Sequence, residues 1–427
     1  MNIPQTALVR HLNRWDLTAL VVNGIIGSGI FGLPAIIITL TGAASPLTYL
    51  AAAAGTAVVV VCFAGVGALF SDAGGPYLYA REAFGPFVGL QIGWIAWLAR
   101  MTGAGANANL FTLYLGELWA PARTDWGRLV SMTFLIGVLA IINYRGVRKG
   151  ALVSDLFVLA KLLPLALFVG IGLFFLRGEN FHLTTGVRWG GFSQAVLLLI
   201  FAFGGFENAA FPASEARQPK RDLPFALLAG LGVVTVFYLL IQVVVQGTLP
   251  PGTETERPLA TAARQFLGAP GAWLLSAGAL VSVIGWFSGT LLSLPRLTFA
   301  MGERGDLPAF FAAIHPRFRT PHVSILIFSA LSWALAMAGT FQWNAALSAA
   351  ARLFVYGTTC AALPVFGKRT VVAGRNRAVR GTVLGLAGVA FCALLLPQMG
   401  WTLVAVLAGT MSLAAATWVW NRRPVTH

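Results

Sequence analysis

Charge is what this sequence has least of. Only 10% of its 427 residues are charged and 57% are hydrophobic, with a mean hydropathy of +0.78. Soluble globular proteins carry about 25% charged residues, because their surface meets water. This chain is too poor in charge to cover such a surface. Cysteine is scarce as well. Cys62, Cys360 and Cys392 all lie inside apolar runs, which argues against a disulfide or metal framework. The five histidines, His11, His182, His315, His322 and His427, fall outside any clear apolar run. With no His/Asp/Glu cluster and no nucleophile–base pairing, the sequence offers an enzyme nothing to work with, and no metal or cofactor is expected. Alternating ten-residue segments of a transmembrane β-barrel are also missing. So is a cleavable signal, since the first apolar run is too long for one.

What is present is a series of continuous apolar runs from Leu17 to Trp420. Many approach the roughly 20 residues that cross a bilayer core as helix. Gly/Pro punctuation and charge clusters divide them into about twelve spans. These run at about 17–40, 46–69, 87–115, 129–142, 151–176, 192–213, 224–245, 273–300, 323–338, 345–366, 383–396 and 401–420. Spans 129–142, 323–338 and 383–396 read as short. The net charge of +15 would suit a nucleic-acid partner, but its distribution follows a membrane rule instead. Of the 29 basic residues, Arg123, Arg128, Arg177, Arg188, Arg257 and Arg264 fall on one side. Arg100, Lys161 and Arg352 fall inside spans, and the rest lie on the other side with both termini. The positive-inside rule places that basic side in the cytoplasm, so no nucleic-acid partner is needed.

The expected fold class is an all-α integral membrane protein built as a 5+5 inverted repeat. Its parts are a cytoplasmic N-terminus (1–16), a first repeat (17–176), a second repeat (192–366), two further helices (383–420) and a cytoplasmic C-terminus (421–427). The repeat is read from two interrupted spans at equivalent positions. Span 1 contains Asn23-Gly24-Ile25-Ile26-Gly27-Ser28-Gly29-Ile30-Phe31-Gly32-Leu33-Pro34, and span 6 contains Phe201-Ala202-Phe203-Gly204-Gly205-Phe206-Glu207-Asn208. An odd repeat length inverts the halves, and paired Gly-interrupted spans point to a transporter binding site.

Inside hydrocarbon, unwound backbone is tolerated only where it lines a cavity or protein interior. Opening span 1 at Gly27-Ser28-Gly29 exposes amides with partial positive charge, matched to a carboxylate. Carbonyls near Phe203 and Gly204 can accept from an ammonium group. Together the breaks form a clamp for a zwitterion. Close helix packing is the competing explanation for such glycines. Three ionisable residues inside the spans add functional hypotheses. Arg100 and Glu207 fall at similar depth, where they can pair; Glu207 alone can instead carry a proton. Lys161 can titrate, act as a fixed cation, or reach back to the interface. Arg352 has no derivable role. Phe201, Phe203, Phe206 and Trp286 lie near the proposed site as packing residues or gates.

At these residues the sequence resembles the amino acid–polyamine–organocation family of permeases. Gly27-Ser28-Gly29-Ile30-Phe31 looks like that family's first-helix signature. Phe201 to Glu207, continuing through Glu215 and Pro219-Lys220-Arg221-Asp222-Leu223-Pro224, looks like its sixth helix and following loop. Gly74-Gly75-Pro76-Tyr77 and Arg304-Gly305-Asp306-Leu307-Pro308 match its cytoplasmic connections, and the likeness runs from about Asp16 to Phe366. The resemblance implies a leucine-transporter-type fold in the plasma membrane, a bacterial inner membrane by expectation. It implies amino acid transport by proton-coupled symport or antiport. Ser28 and Gly29 amides would hold the carboxylate, and carbonyls of Ile25 or Ile26, Phe203 and Gly204 the amino group. Trp286 would line the pocket. Lys161 resembles a lysine that stands in a sodium ion's place in sodium-independent members. The mainly apolar pocket favours neutral amino acids. A cationic amino acid or polyamine becomes the alternative if Glu207 faces the pocket. A channel or a non-transporting receptor is the alternative of another class.

Overall fold

The structure is a computed structural model, and it describes residues 13–70, 75–146, 150–181, 188–207, 218–250, 252–369 and 375–421. Within them every regular element is helical. The first apolar run divides into α1 (Arg14–Ile25), α2 (Gly29–Gly32) and α3 (Pro34–Thr41). Asn13 opens α1 with a capping box, its side chain accepting from Asp16 N while Asp16 accepts from Asn13 N. Then follow α4 (Ser45–Gly67), the short α5 (Gly75–Phe84), α6 (Pro86–Leu118), α7 (Asp125–Arg145) and α8 (Gly150–Gly172).

The second half holds α9 (Trp189–Phe203), α10 (Pro219–Thr248), α11 (Pro258–Glu303), α12 (His322–Ala338), α13 (Phe341–Arg369), α14 (Arg375–Leu395) and α15 (Trp401–Asn421). Continuous as α11 looks, it turns sharply at Gly268, whose φ of 65° only glycine adopts at little cost. Seven of the helical stretches are long and apolar enough to cross a membrane, and 160–175, 189–203 and 322–338 are shorter apolar helices. Two of the runs read as short are longer than expected. The helices over 129–142 and 383–396 each extend to 21 residues, because their polar ends continue the helix beyond the apolar stretch.

The core forms where α6 and α13 pack together, with α9, α11 and α12 around them and α1 packed on α10. Small residues let these helices approach closely: Ser348 Oγ on α13 donates to Ala99 O on α6 at 2.6 Å. Packing in lipid depends on such close approach and on interhelical hydrogen bonds rather than on apolar burial alone. In contrast, α14 and α15 expose most of their apolar surface, including Val383, Leu386, Leu413 and Val419. Asn208, Glu215 and Gly74 lie outside the described residues, as do 1–12 and 422–427 of the two termini.

Candidate functional site

Both expected breaks are present. Helix α1 stops at Ile25, and Ile26 takes extended backbone (φ −72°, ψ 93°). Along the chain, amide-to-carbonyl bonding stops at Ile26 N and resumes at Phe31 N and Gly32 N, both on Ser28 O at 3.1 Å. In the sixth run α9 stops at Phe203, Gly204 is extended (φ −73°, ψ 156°), and Gly205 has φ 113°. A Cβ on Gly205 would collide with the Gly24 carbonyl, so glycine there lets the two broken segments touch.

The carbonyls freed at the first break are satisfied by side chains from three other helices. Lys161 Nζ, fully buried on α8, donates to Asn23 O and to Ile26 O, each at 2.8 Å. Ser282 Oγ on α11 reaches Ile26 O at 3.4 Å. From α10, the Tyr238 hydroxyl lies 3.2 Å from Ile25 O and 3.2 Å from Ala202 O, touching both breaks. Such partners are what allows unwound backbone at this depth. Ser28 Oγ, by contrast, is buried without a partner among the described residues.

Trp286 on α11 stands over this break. A Cβ on Gly27 would lie 3.1 Å from its indole, and one on Gly103 of α6 would lie 3.6 Å from the indole's far edge. Gly29 is held differently. A Cβ there would come within 2.7 Å of Ala202 Cα, so this glycine also serves the close packing of α2 on α9. The phenylalanines separate in the same way. Phe203 packs its ring on Tyr238 at 5.3 Å, and Phe206 packs between Phe63 and Tyr356, 5.3 Å from each. Phe201 lies 6.2 Å from Phe341.

The second break carries a charged node. Glu207 Oε1 is 3.2 Å from Arg100 Nη2 and forms a close ion pair with Arg352 Nη1. Its Oε2 accepts from Gly205 N at 2.8 Å and from the Tyr356 hydroxyl at 3.3 Å. Arg352 also donates to Tyr356 at 3.0 Å. The Arg100–Glu207 pair open to the sequence is therefore formed, and Arg352, which had no role there, completes it. One signal was available: Arg352 and Tyr356 are spaced i, i+4 and so share a helix face. Tyr238 and Ser282 gave no such signal, being ordinary polar residues in apolar runs.

The two ends of the molecule differ. On the side of Arg123 and Arg257, a vestibule of about 540 Å³ reaches down to Gly32, lined also by Asn109, Arg128 and Phe341. Toward the basic end a cavity of about 40 Å³ lies beside Arg100, Glu207 and Arg352. There Tyr77 and Arg81 of α5 close on Asp306, with the Tyr77 phenol donating to the carboxylate and Arg81 paired with it. Burial, aided by Asp306, pushes the Tyr77 phenol up to about 12.

A membrane-embedded bundle with broken helices meeting at a buried cation and a buried ion-pair node is built like a small-solute permease. The amino acid permease family model matches residues 12–421, and the chain belongs to that family. Its relatives include the serine/threonine exchanger SteT of Bacillus subtilis (strain 168), 30% identical over 341 residues, which span 76% of this chain and 76% of that protein. The branched-chain amino acid permease BcaP of the same organism is 24% identical over 420 residues, covering 94% of this chain and 90% of its own. A methylthioribose transporter, also from Bacillus subtilis, is 27% identical over 331 residues, covering 74% and 72%.

Proposed function

We propose that the protein is a secondary transporter that moves neutral amino acids by alternating access, independently of sodium, through proton coupling or exchange. The observation that carries this reading is Lys161 Nζ bridging the Asn23 and Ile26 carbonyls at 2.8 Å each. A fixed ammonium fills the place where freed carbonyls would otherwise attract a metal cation, which leaves the amides after the break for a carboxylate. The amides of Ser28 and Gly29, with the unpartnered Ser28 Oγ, receive the carboxylate, while Gly27 and Trp286 frame the substrate. Carbonyls of Ile25, Phe203 and Gly204 take the amino group, since Ile26 O already accepts from Lys161 and Ser282. The same reading makes the chain twelve spans in a 5+5 inverted arrangement, with both termini in the cytoplasm of a bacterial plasma membrane. It assigns the protein no enzymatic step.

Neutral substrates fit better than cationic ones. Glu207 is occupied by Arg100, Arg352 and Tyr356, so its carboxylate is not free for a cationic side chain. Exchange of serine and threonine by one relative and transport of branched-chain amino acids by another agree with this direction. Alternating access accounts for the unequal ends, with the vestibule open to the outside and the cytoplasmic end closed by Tyr77, Arg81 and Asp306.

Proteoliposomes loaded with unlabelled serine or leucine test the proposal. Labelled serine or leucine should enter by counterflow without sodium, and arginine should neither enter nor compete. Saturable binding with no accumulation or counterflow would leave a receptor rather than a transporter. Arginine uptake matching that of leucine would return the cationic alternative.

A further inference from the structure

Away from the breaks, a cavity of about 330 Å³ lies between the ends of α7 and α11 and the loop before α12. Arg145, Arg296, Arg317 and Arg319 line it together with Asn143 and Leu292, and no acidic residue among those described does. Among the described residues, none of these four guanidinium groups takes part in an ion pair. Four unpaired cations around one cavity repel one another, and the proposed transport has no use for them.

The loop is built to hold them there. His315 Nδ1 accepts from Arg317 N and Phe318 N at 3.2 Å each, and Arg319 N donates to His315 O at 2.9 Å. Thr320 Oγ1 donates to Tyr144 O at 2.8 Å, tying the loop to the end of α7. Arg319 has φ 56°, the one non-glycine residue with positive φ among those described, and such strain persists where surroundings over-determine it. One turn toward the middle of the membrane, each helix presents exposed apolar side chains: Ile141 and Ile142 before Arg145, and Leu292 before Arg296.

We propose that this cavity binds the headgroup of an anionic phospholipid, with its acyl chains along the exposed faces of α7 and α11. Arginine forks grip phosphate bidentately, and basic pockets between helices at the cytoplasmic side suit such headgroups. Four guanidinium groups match a lipid with two phosphates better than one with a single charge. The cavity takes the phosphate ester together with its tail, so a free phosphate ion lacks half of the recognition.

Native mass spectrometry and thermal unfolding of the purified full-length protein test this with cardiolipin, phosphatidylglycerol, phosphatidylethanolamine and inorganic phosphate. Cardiolipin should remain bound and raise the unfolding temperature most, phosphatidylglycerol less, and the other two not at all. The double variant R317Q/R319Q should weaken cardiolipin binding about tenfold or more, while R188Q at the opposite end should not change it. Equal stabilisation by inorganic phosphate, or no preference for cardiolipin over phosphatidylethanolamine, would overturn the proposal. So would undiminished cardiolipin binding by a monodisperse R317Q/R319Q protein. The lipid ranking on the unmodified protein decides the matter even if that variant fails to fold.

Discussion

The two breaks solve one problem in different ways. At the first, freed backbone carbonyls receive a lysine ammonium and two hydroxyls, and no carboxylate takes part. At the second, a carboxylate folds back onto the unwound backbone and is held by two arginines and a tyrosine. One break keeps a polar atom unfilled at Ser28 and an indole above it. The other carries Glu207, whose charge is met by Arg100 of α6 and Arg352 of α13. The first break is thus held by donors that other helices supply, and the second by a charge of its own that other helices neutralise.

Breaking the charged node should cost most. Arg352→Ala leaves Glu207 with one guanidinium partner and is expected to lower stability by about 3–5 kcal/mol, as for other broken buried pairs. Thermal unfolding in detergent reads this, and Glu207→Gln, which leaves both Arg100 and Arg352 without a counter-ion, should lose at least as much. A loss below that of a surface substitution would show the node to be dispensable. At the first break, Lys161→Ala takes the donor from Asn23 O, at about 1–3 kcal/mol, and leaves Ile26 O with Ser282 alone. It should also nearly abolish counterflow and flatten its pH dependence in proteoliposomes. Unchanged uptake with an unchanged pH profile would remove Lys161 from the coupling. Tyr238→Phe should cost about 0.5–1.5 kcal/mol, one ordinary hydrogen bond, again by thermal unfolding. Smallest in stability is Ser28→Ala, expected within about 0.5 kcal/mol, because its hydroxyl has no partner to lose. Its effect belongs in KM for amino acid uptake, raised several-fold, and an unaltered KM would take Ser28 out of the binding site.

The breaks were readable in the sequence because glycines stand out in an apolar run and recur at equivalent places in two halves. Arg100 and Glu207 were readable because charge at that depth is rare. The ligands of the freed carbonyls were not. Tyr238 and Ser282 reach their partners across 213 and 256 residues of chain, and no local pattern marks which hydroxyl in an apolar helix meets which carbonyl. Helix ends were misjudged for a simpler reason. Hydropathy reports where a helix is apolar, whereas the helix over 129–142 goes on through Asp125 at one end and Arg145 at the other. The packing partner of Gly29 also lay beyond the sequence, since nothing local to Gly29 names Ala202 of α9 as the neighbour a Cβ would strike.

A phenol has one hydrogen, and the Tyr238 hydroxyl oxygen lies 3.2 Å from both Ile25 O and Ala202 O. It can serve only one of them fully at any moment. If the two half-helices part, the hydrogen can go with either, and neither choice leaves it stranded. A separation of the two half-helices would therefore cost this junction one acceptor, and not the hydrogen bond of its donor.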